Sequence, residues 1–212
     1  KPLRAGQALH MEETLPRLSL PGVSWIDNPT RTPIDLAEVF GDARPVWLEI
    51  GFGGGEHLAS LAEANPDIGF IGVEPFVNGV AALLPRVATL NNVRVHHGDG
   101  RDVMDILPSG SIARAFLLYP DPWPKLRHHN RRFVKAENID AIARVLAPGA
   151  RFHVASDIPD YVRHTQAHMG PRADFIGGTV ELKPWADWHS TRYEQKAFRA
   201  GRRGHYMTYT RA

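Results

Sequence analysis

The chain has 212 residues, 25 Lys and Arg against 23 Asp and Glu, 43% hydrophobic residues and no cysteine. That is a globular composition, which excludes wholesale disorder, and the missing cysteine removes disulfides, thiolate zinc sites, iron–sulfur clusters and a cysteine nucleophile together. The length suits one domain with an elaboration, no apolar run approaches the roughly 20 residues that span a bilayer, and no secretory signal pattern opens the chain. These features fit a cytoplasmic protein, and the initial lysine implies further residues upstream.

Residues 1–34 are rich in Pro, Arg and Leu and read as an extended N-terminal arm with one helical turn near Glu12–Leu15. Residues 35–212 read as a single domain. Within it an alternation sets in. Val46–Ile50 is an apolar strand ending in glycines, and Glu56–Asn65 has helical spacing. Ile68–Val73 is a buried strand. Val77–Leu90 is a helix that Pro85 should kink or end. Val93–His96 is a short strand, Asp102–Leu107 a short helix, and Ile112–Leu118 a strand stopped by Pro120. Phe133–Leu146 is the clearest amphipathic helix, ending at Ala-Pro-Gly. Arg151–Ala155 is a strand and Asp160–His168 a helix. Phe175–Leu182 and His205–Thr210 read as strands with no strong helix between 182 and 205. Strand–helix alternation predicts βαβ units and a parallel α/β sheet, here five parallel strands closed by a C-terminal pair, one of them antiparallel to the rest.

Leu48-Glu49-Ile50-Gly51-Phe52-Gly53-Gly54-Gly55-Glu56 follows a strand and opens a helix, the setting of a nucleotide loop. The dinucleotide pattern G-x-G-x-x-G is not met, because the third glycine comes early and an acid follows. Glu49 and Glu56 flank the loop. Negative charge opposes a pyrophosphate and favours a cation, which tilts the ligand from NAD towards S-adenosylmethionine. Glu74 ends the second strand, where ribose hydroxyls are gripped in such sheets. Asp99, followed by Gly100, ends the third and is placed to meet an adenine amino edge.

Tyr119-Pro120-Asp121-Pro122-Trp123-Pro124-Lys125 follows the fourth strand. Its alternate prolines fix φ and stiffen the loop, holding one carboxylate and one indole in place. From Lys125 to Lys135 there are five cations, the two end lysines included, and no acid. A second basic cluster comprises Arg192, Lys196, Arg199, Arg202 and Arg203. Two such clusters around a nucleotide site point to a nucleic-acid substrate. The 11 histidines form no metal pattern: His96-His97 and His128-His129 do not share a helix face, and Thr165 stands where the His-Glu metalloprotease pattern, tried on His164 and His168, needs Glu. No metal is expected. Trp185 and Trp188 read as core or loop anchors.

Together LEIGFGGGEHL, GVEPF, YPDPWPKLRHHNRR, SDIPDY and TRYEQKAFRAGRRGH resemble the bacterial tRNA (guanine-N7)-methyltransferases, in order from about Val46 to Tyr209. Leu126 departs from the pattern, which usually has a second basic residue there. The resemblance implies a class I methyltransferase, Rossmann-like fold: a seven-stranded, mostly parallel sheet with an antiparallel C-terminal strand and helices on both faces. It implies S-adenosylmethionine as donor and a variable-loop guanosine of tRNA as acceptor. It places Glu49, Gly51, Gly53, Gly55, Glu74, Pro75, Phe76, Asp99, Gly100 and Asp121 at cofactor positions, with Asp121 catalytic. Lys125, Asp157, Thr191, Arg192, Tyr193 and Glu194 fall at substrate positions, and Arg127, His128, His129, Asn130, Arg131 and Arg132 at the RNA. Asp121 and Glu194 could share the guanine's N1 and N2 donors. A methyltransferase acting on another RNA or a small molecule, a nicotinamide oxidoreductase and a non-catalytic RNA-binding protein are the competing readings. Monomer and homodimer are both open.

Overall fold

The computed structural model describes residues 2–212; Lys1, the first residue of the expected arm, lies outside the described residues. Seven strands form one sheet: β1 (Val46–Ile50), β2 (Gly69–Val73), β3 (Val93–His96), β4 (Ile112–Leu118), β5 (Leu146–Ser156), β6 (Phe175–Gly177) and β7 (His205–Arg211). Their order is β3-β2-β1-β4-β5-β7-β6. β7 is antiparallel to both β5 and β6, and the other pairs are parallel. The order reverses between β1 and β4, so the carboxyl ends of these two strands flank the crevice where ligands bind in open α/β sheets.

Strand alternation sends side chains to two cores. Leu48, Ile50, Ala115 and Leu117 join one, while Phe116 and Leu118 join the other with Trp47 packed against it. The first core is covered by α2 (Leu36–Phe40), α5 (Gly100–Ile106), α6 (Ala136–Val145) and α7 (Pro159–Met169), through residues such as Phe40, Val103, Ile142 and Tyr161. The second is covered by α1 (Ala5–Leu18), α3 (Glu56–Ala64) and α4 (Val77–Val87), through Leu18, Leu58 and Leu83. Helices therefore lie on both faces, and the expected fold class stands. No described helix is long and apolar enough to cross a membrane.

Four expectations are corrected. Residues 5–18 are a helix rather than an extended segment with one turn. Met11, Leu15 and Leu18 form an i, i+4, i+7 stripe packed on the core that includes α4, so tertiary burial supplies the stability that Gly6 and Pro16 withhold. Beyond α1, Leu20 N–H donates to Val95 O at 3.0 Å, tying this segment to the β3 edge. Second, α8 (Arg192–Arg199) occupies the interval expected to lack a helix. It buries only Glu194 and Ala197, so it shows no apolar stripe. Third, β6 ends at Gly177 rather than Leu182, because Gly177 and Gly178 take φ of 98° and 87° and turn the chain. Fourth, α6 starts at Ala136, leaving Phe133 to face the cleft described next.

Candidate active site

A cleft of about 470 Å³ opens at the carboxyl ends of β1, β2, β4 and β5. Gly51, Gly53, Glu74, Pro75, Phe76, Asp99, Gly100, Asp121, Arg131, Asp157 and Tyr193 line it, as do Tyr119, Trp123, Phe133, Lys196 and Arg202. A wider depression of about 540 Å³, between Pro33 and Arg44 and reaching Val46 and Ser111, lies at the amino ends of β1 and β4, away from these groups.

The glycine loop is held from β2. Gly51 N–H donates to Val73 O at 2.8 Å, Gly53 N–H donates to Glu74 Oε2 at 2.7 Å, and Gly55 N–H donates to Phe52 O at 2.9 Å. The loop's amides are therefore largely committed inside the protein and form no cradle for a pyrophosphate. Gly51, at φ +69°, has open space where a Cβ would stand, whereas at Gly53 a Cβ would lie 2.5 Å from the Tyr193 ring. The missing side chains thus leave open space at Gly51 and admit α8 at Gly53.

Glu74 accepts a second bond from Phe76 N–H at 2.9 Å. Burial pushes its carboxyl above the usual range, a shift that these two backbone donors oppose. Asp99 caps α5, accepting from Arg101 N–H at 2.9 Å, and pairs with the Arg101 guanidinium at 2.5 Å. That pairing holds it below the usual carboxylate range. Glu49 is separated from the cleft: its carboxylate accepts from His57 Nδ1 at 2.8 Å, and both residues are buried beneath α3.

The loop after β4 is strained and fastened. Tyr119 and Trp123 have φ of 49° and 42°, conformations that cost about 1–3 kcal/mol each and persist only when surroundings impose them. The Arg131 guanidinium lies 4.9 Å from the Trp123 ring centroid, and the His128 ring meets Trp123 edge-on. Arg132 Nε donates to Pro122 O at 2.9 Å, and its Nη2 pairs with Asp160 at 2.5 Å. Arg132, expected at the RNA, is thus engaged within the protein. The residue is 1% exposed, because the loop's backbone carbonyls need a buried donor. Arg127, Asn130 and Arg131 stay exposed, and His128 and His129 are half-buried. Lys125 is exposed on the loop's outer side and does not line the cleft. His164 and His168 direct a ring nitrogen to the carbonyls of Val134 and His164 respectively.

Glu194 is 2% exposed. It accepts from the hydroxyls of Tyr119 and Tyr206 and from Trp188 Nε1. Burial, reinforced by hydrogen bonding and the carboxylate charge, pushes both tyrosine hydroxyls well above their usual pKa, so they remain donors. Thr191 caps α8, its hydroxyl accepting from Glu194 N–H at 3.1 Å. Thr191 and Glu194, expected at substrate positions, form a buried node joining the end of β4, β7 and α8. Arg192 and Tyr193 remain exposed over the glycine loop. Trp185 and Trp188 pack edge-to-face at 5.0 Å against the second core.

Sequence reading did not single out Tyr119, Phe133 or Tyr206 for this region; their signal lay in their places, at strand ends beside a proline loop and a basic segment. It named Lys196 and Arg202 only as members of a charge cluster.

Residues 43–207 match the family model described as "Putative methyltransferase". The chain is 57% identical over its whole length to a tRNA (guanine-N(7)-)-methyltransferase of Ruegeria sp. (strain TM1040), covering 84% of that protein. It is 46% identical, again over its whole length, to the one of Rhizobium meliloti (strain 1021), covering 92%. In fold it is similar to the 16S rRNA methyltransferase KamB, with a TM-score of 0.61, 15% identity and 82% and 91% of the two chains covered. It is similar also to a 16S rRNA (adenine(1408)-N(1))-methyltransferase from Catenulisporales acidiphilia with cosubstrate SAM, with a TM-score of 0.58, 18% identity and 85% and 93% covered. The chain belongs to the tRNA (guanine-N(7)-)-methyltransferase family.

Proposed function

We propose that the protein transfers a methyl group from S-adenosylmethionine to N7 of a guanosine in tRNA, and that this guanosine lies in the variable loop. The observation that carries the reading is Asp121, held in the cleft by a strained, proline-stiffened loop beside Glu74 and Asp157. The donor fits the residues present. The glycine loop offers few free amides for phosphate, Gly51 leaves space for close approach, and acids dominate the inner wall. Those features suit a sulfonium compound without phosphates. The variable-loop target is supported by the motif resemblance, and a cytoplasmic location by the substrate.

When bound, S-adenosylmethionine supplies an electrophilic methyl carbon. Guanine N7 already carries a lone pair, so the chain needs no base to expose it. Positioning for an in-line approach supplies most of the acceleration. Glu74 fixes the glycine loop, Asp99 stands at the end suited to an adenosine, and Gly51 and Gly100 permit close contact. The Asp121 carboxylate faces the positive charge that develops on the guanine ring, a preorganised electrostatic contribution. Arg127 and Arg131, exposed beside the cleft, meet phosphates, with Tyr193 at the mouth. Residues 35–212 form the methyltransferase domain in this reading, with 1–34 an added arm whose helix α1 packs on it.

The test is transfer of labelled methyl groups from S-adenosylmethionine into unmodified tRNA, with the modified base mapped. N7-methylguanosine in the variable loop is the expected product. No incorporation overturns the function, and incorporation elsewhere in tRNA overturns only the loop assignment.

A further inference from the structure

Asp157 stands just beyond β5, its side chain 12% exposed, and Arg202 Nε meets Asp157 Oδ2 at 2.6 Å. Arg202 is 44% exposed, and both residues line the cleft. Its backbone is anchored, with N–H donating to Ala197 O at 2.9 Å after the turn at Gly201, so the side chain can swing while the main chain stays fixed. Lys196 lines the cleft with Arg202, and among the described residues it has no carboxylate within ion-pair distance. The cleft mouth therefore carries surplus positive charge for a phosphate.

Guanine presents N1–H and N2–H side by side, a pair of donors that one carboxylate can accept together. Glu194 is buried with both oxygens engaged, and Asp121 faces the ring charge. Asp157 is the remaining cleft carboxylate on the β5 side, and Arg202 covers it. A guanidinium binds phosphate as readily as carboxylate, by the same two-pronged geometry.

We propose that Arg202 and Asp157 cover one another in the free protein and exchange partners on substrate entry. The Arg202 guanidinium turns to a phosphate flanking the target guanosine, and the freed Asp157 accepts from guanine N1–H and N2–H. Base and backbone must then arrive together. An adenosine, whose N1 is an acceptor, leaves the freed carboxylate without a donor there. This inference rests on the function proposed above and adds a specificity device to it.

The test is equilibrium binding of an unmodified tRNA transcript to the wild-type chain, D157N, R202Q and the double variant across a salt series, with thermal melting to confirm folding. Exchange predicts that R202Q lowers the slope of log affinity against log salt by about one phosphate contact. It also predicts that D157N weakens binding at least about threefold more in the R202Q background than alone, because no pair then has to be broken first. A pair that merely braces the turn gives the opposite sign, with D157N costing no more once Arg202 is gone, and an unchanged salt slope is equally fatal. Should R202Q melt early, R202K carries the test: retained slope is expected, and a slope as low as that of an uncharged replacement overturns the exchange. Absence of methyl transfer by the wild-type chain overturns the function itself, whereas transfer with the bracing signature overturns only the exchange.

Discussion

Arg132 and Asp160 meet at 2.5 Å, the guanidinium 1% exposed and the carboxylate half open to water. This pair fastens the proline loop to α7, with Tyr161 beneath the guanidinium. The loop that holds Asp121 is thus clamped from below by a cation at the end of the run that the motif resemblance assigns to RNA.

Replacing Arg132 with Ala leaves Pro122 O without its donor and opens a cavity, at a cost of about 2–3 kcal/mol. The expected result is a lowered denaturant midpoint and reduced kcat, with the salt slope of tRNA binding unchanged. Arg127→Ala and Arg131→Ala, at exposed positions, should instead each lower the slope by about one. A lowered slope for Arg132→Ala contradicts its placement as a loop clamp.

Asp121→Asn keeps the shape of the loop and removes the charge. Turnover is expected to fall about 100-fold, with cofactor affinity, measured by calorimetry with S-adenosylhomocysteine, changing much less. Equal losses in both would mean that Asp121 serves binding rather than the reaction.

Glu194→Gln puts an amide where one carboxylate oxygen now accepts. At least one of Tyr119, Tyr206 and Trp188 then loses its acceptor, which costs about 1–3 kcal/mol. Because the node is buried, the loss should register in unfolding free energy as well as in activity. Activity lost with full stability would restore Glu194 to direct substrate contact.

His153 lies on β5, where its Nε2 accepts from Arg114 Nε at 2.8 Å and its Nδ1–H donates to Thr208 Oγ1 at 3.0 Å. Burial, with the Arg114 charge adding to it, lowers its pKa to about 3. The folded protein keeps this imidazole neutral, while the unfolded chain takes up a proton below about 6.5. Stability from this group is complete above pH 6.5 and falls as pH drops towards 3, by roughly 1.4 kcal/mol per pH unit. His96 and His164, also lowered by burial, act with the same sign. Denaturant unfolding between pH 7 and 4.5 should show this slope, shallower in His153→Gln; an unaltered slope in that variant assigns the dependence elsewhere.

The sheet was legible because its central strands are short, nearly continuous buried apolar runs, and their ends are punctuated by Gly, Pro and acids whose backbone demands are local. β1 to β5, the glycine loop and the proline loop all follow from that. α8 was not legible by periodicity, since only two of its residues face inward; its one local signal is the Thr191 N-cap, whose hydroxyl accepts from Glu194 N–H. α1 was hidden because its apolar stripe has a partner only once α4 is in place.

By itself, then, the sequence determined the α/β alternation, the strand ends that carry the acids, and the motifs shared with the methyltransferase family. Tertiary structure decided which charged side chains remain available to a ligand. Glu49, Arg132 and Glu194 share the residue types and motif context of their accessible neighbours, yet each is buried against a partner on another element or loop: His57, Asp160 and the Tyr119–Tyr206 pair. Spacing along a chain fixes which face of a local element a side chain occupies. Whether that face meets solvent, a cofactor or another buried polar group depends on contacts between elements, and those exist only after the fold has closed.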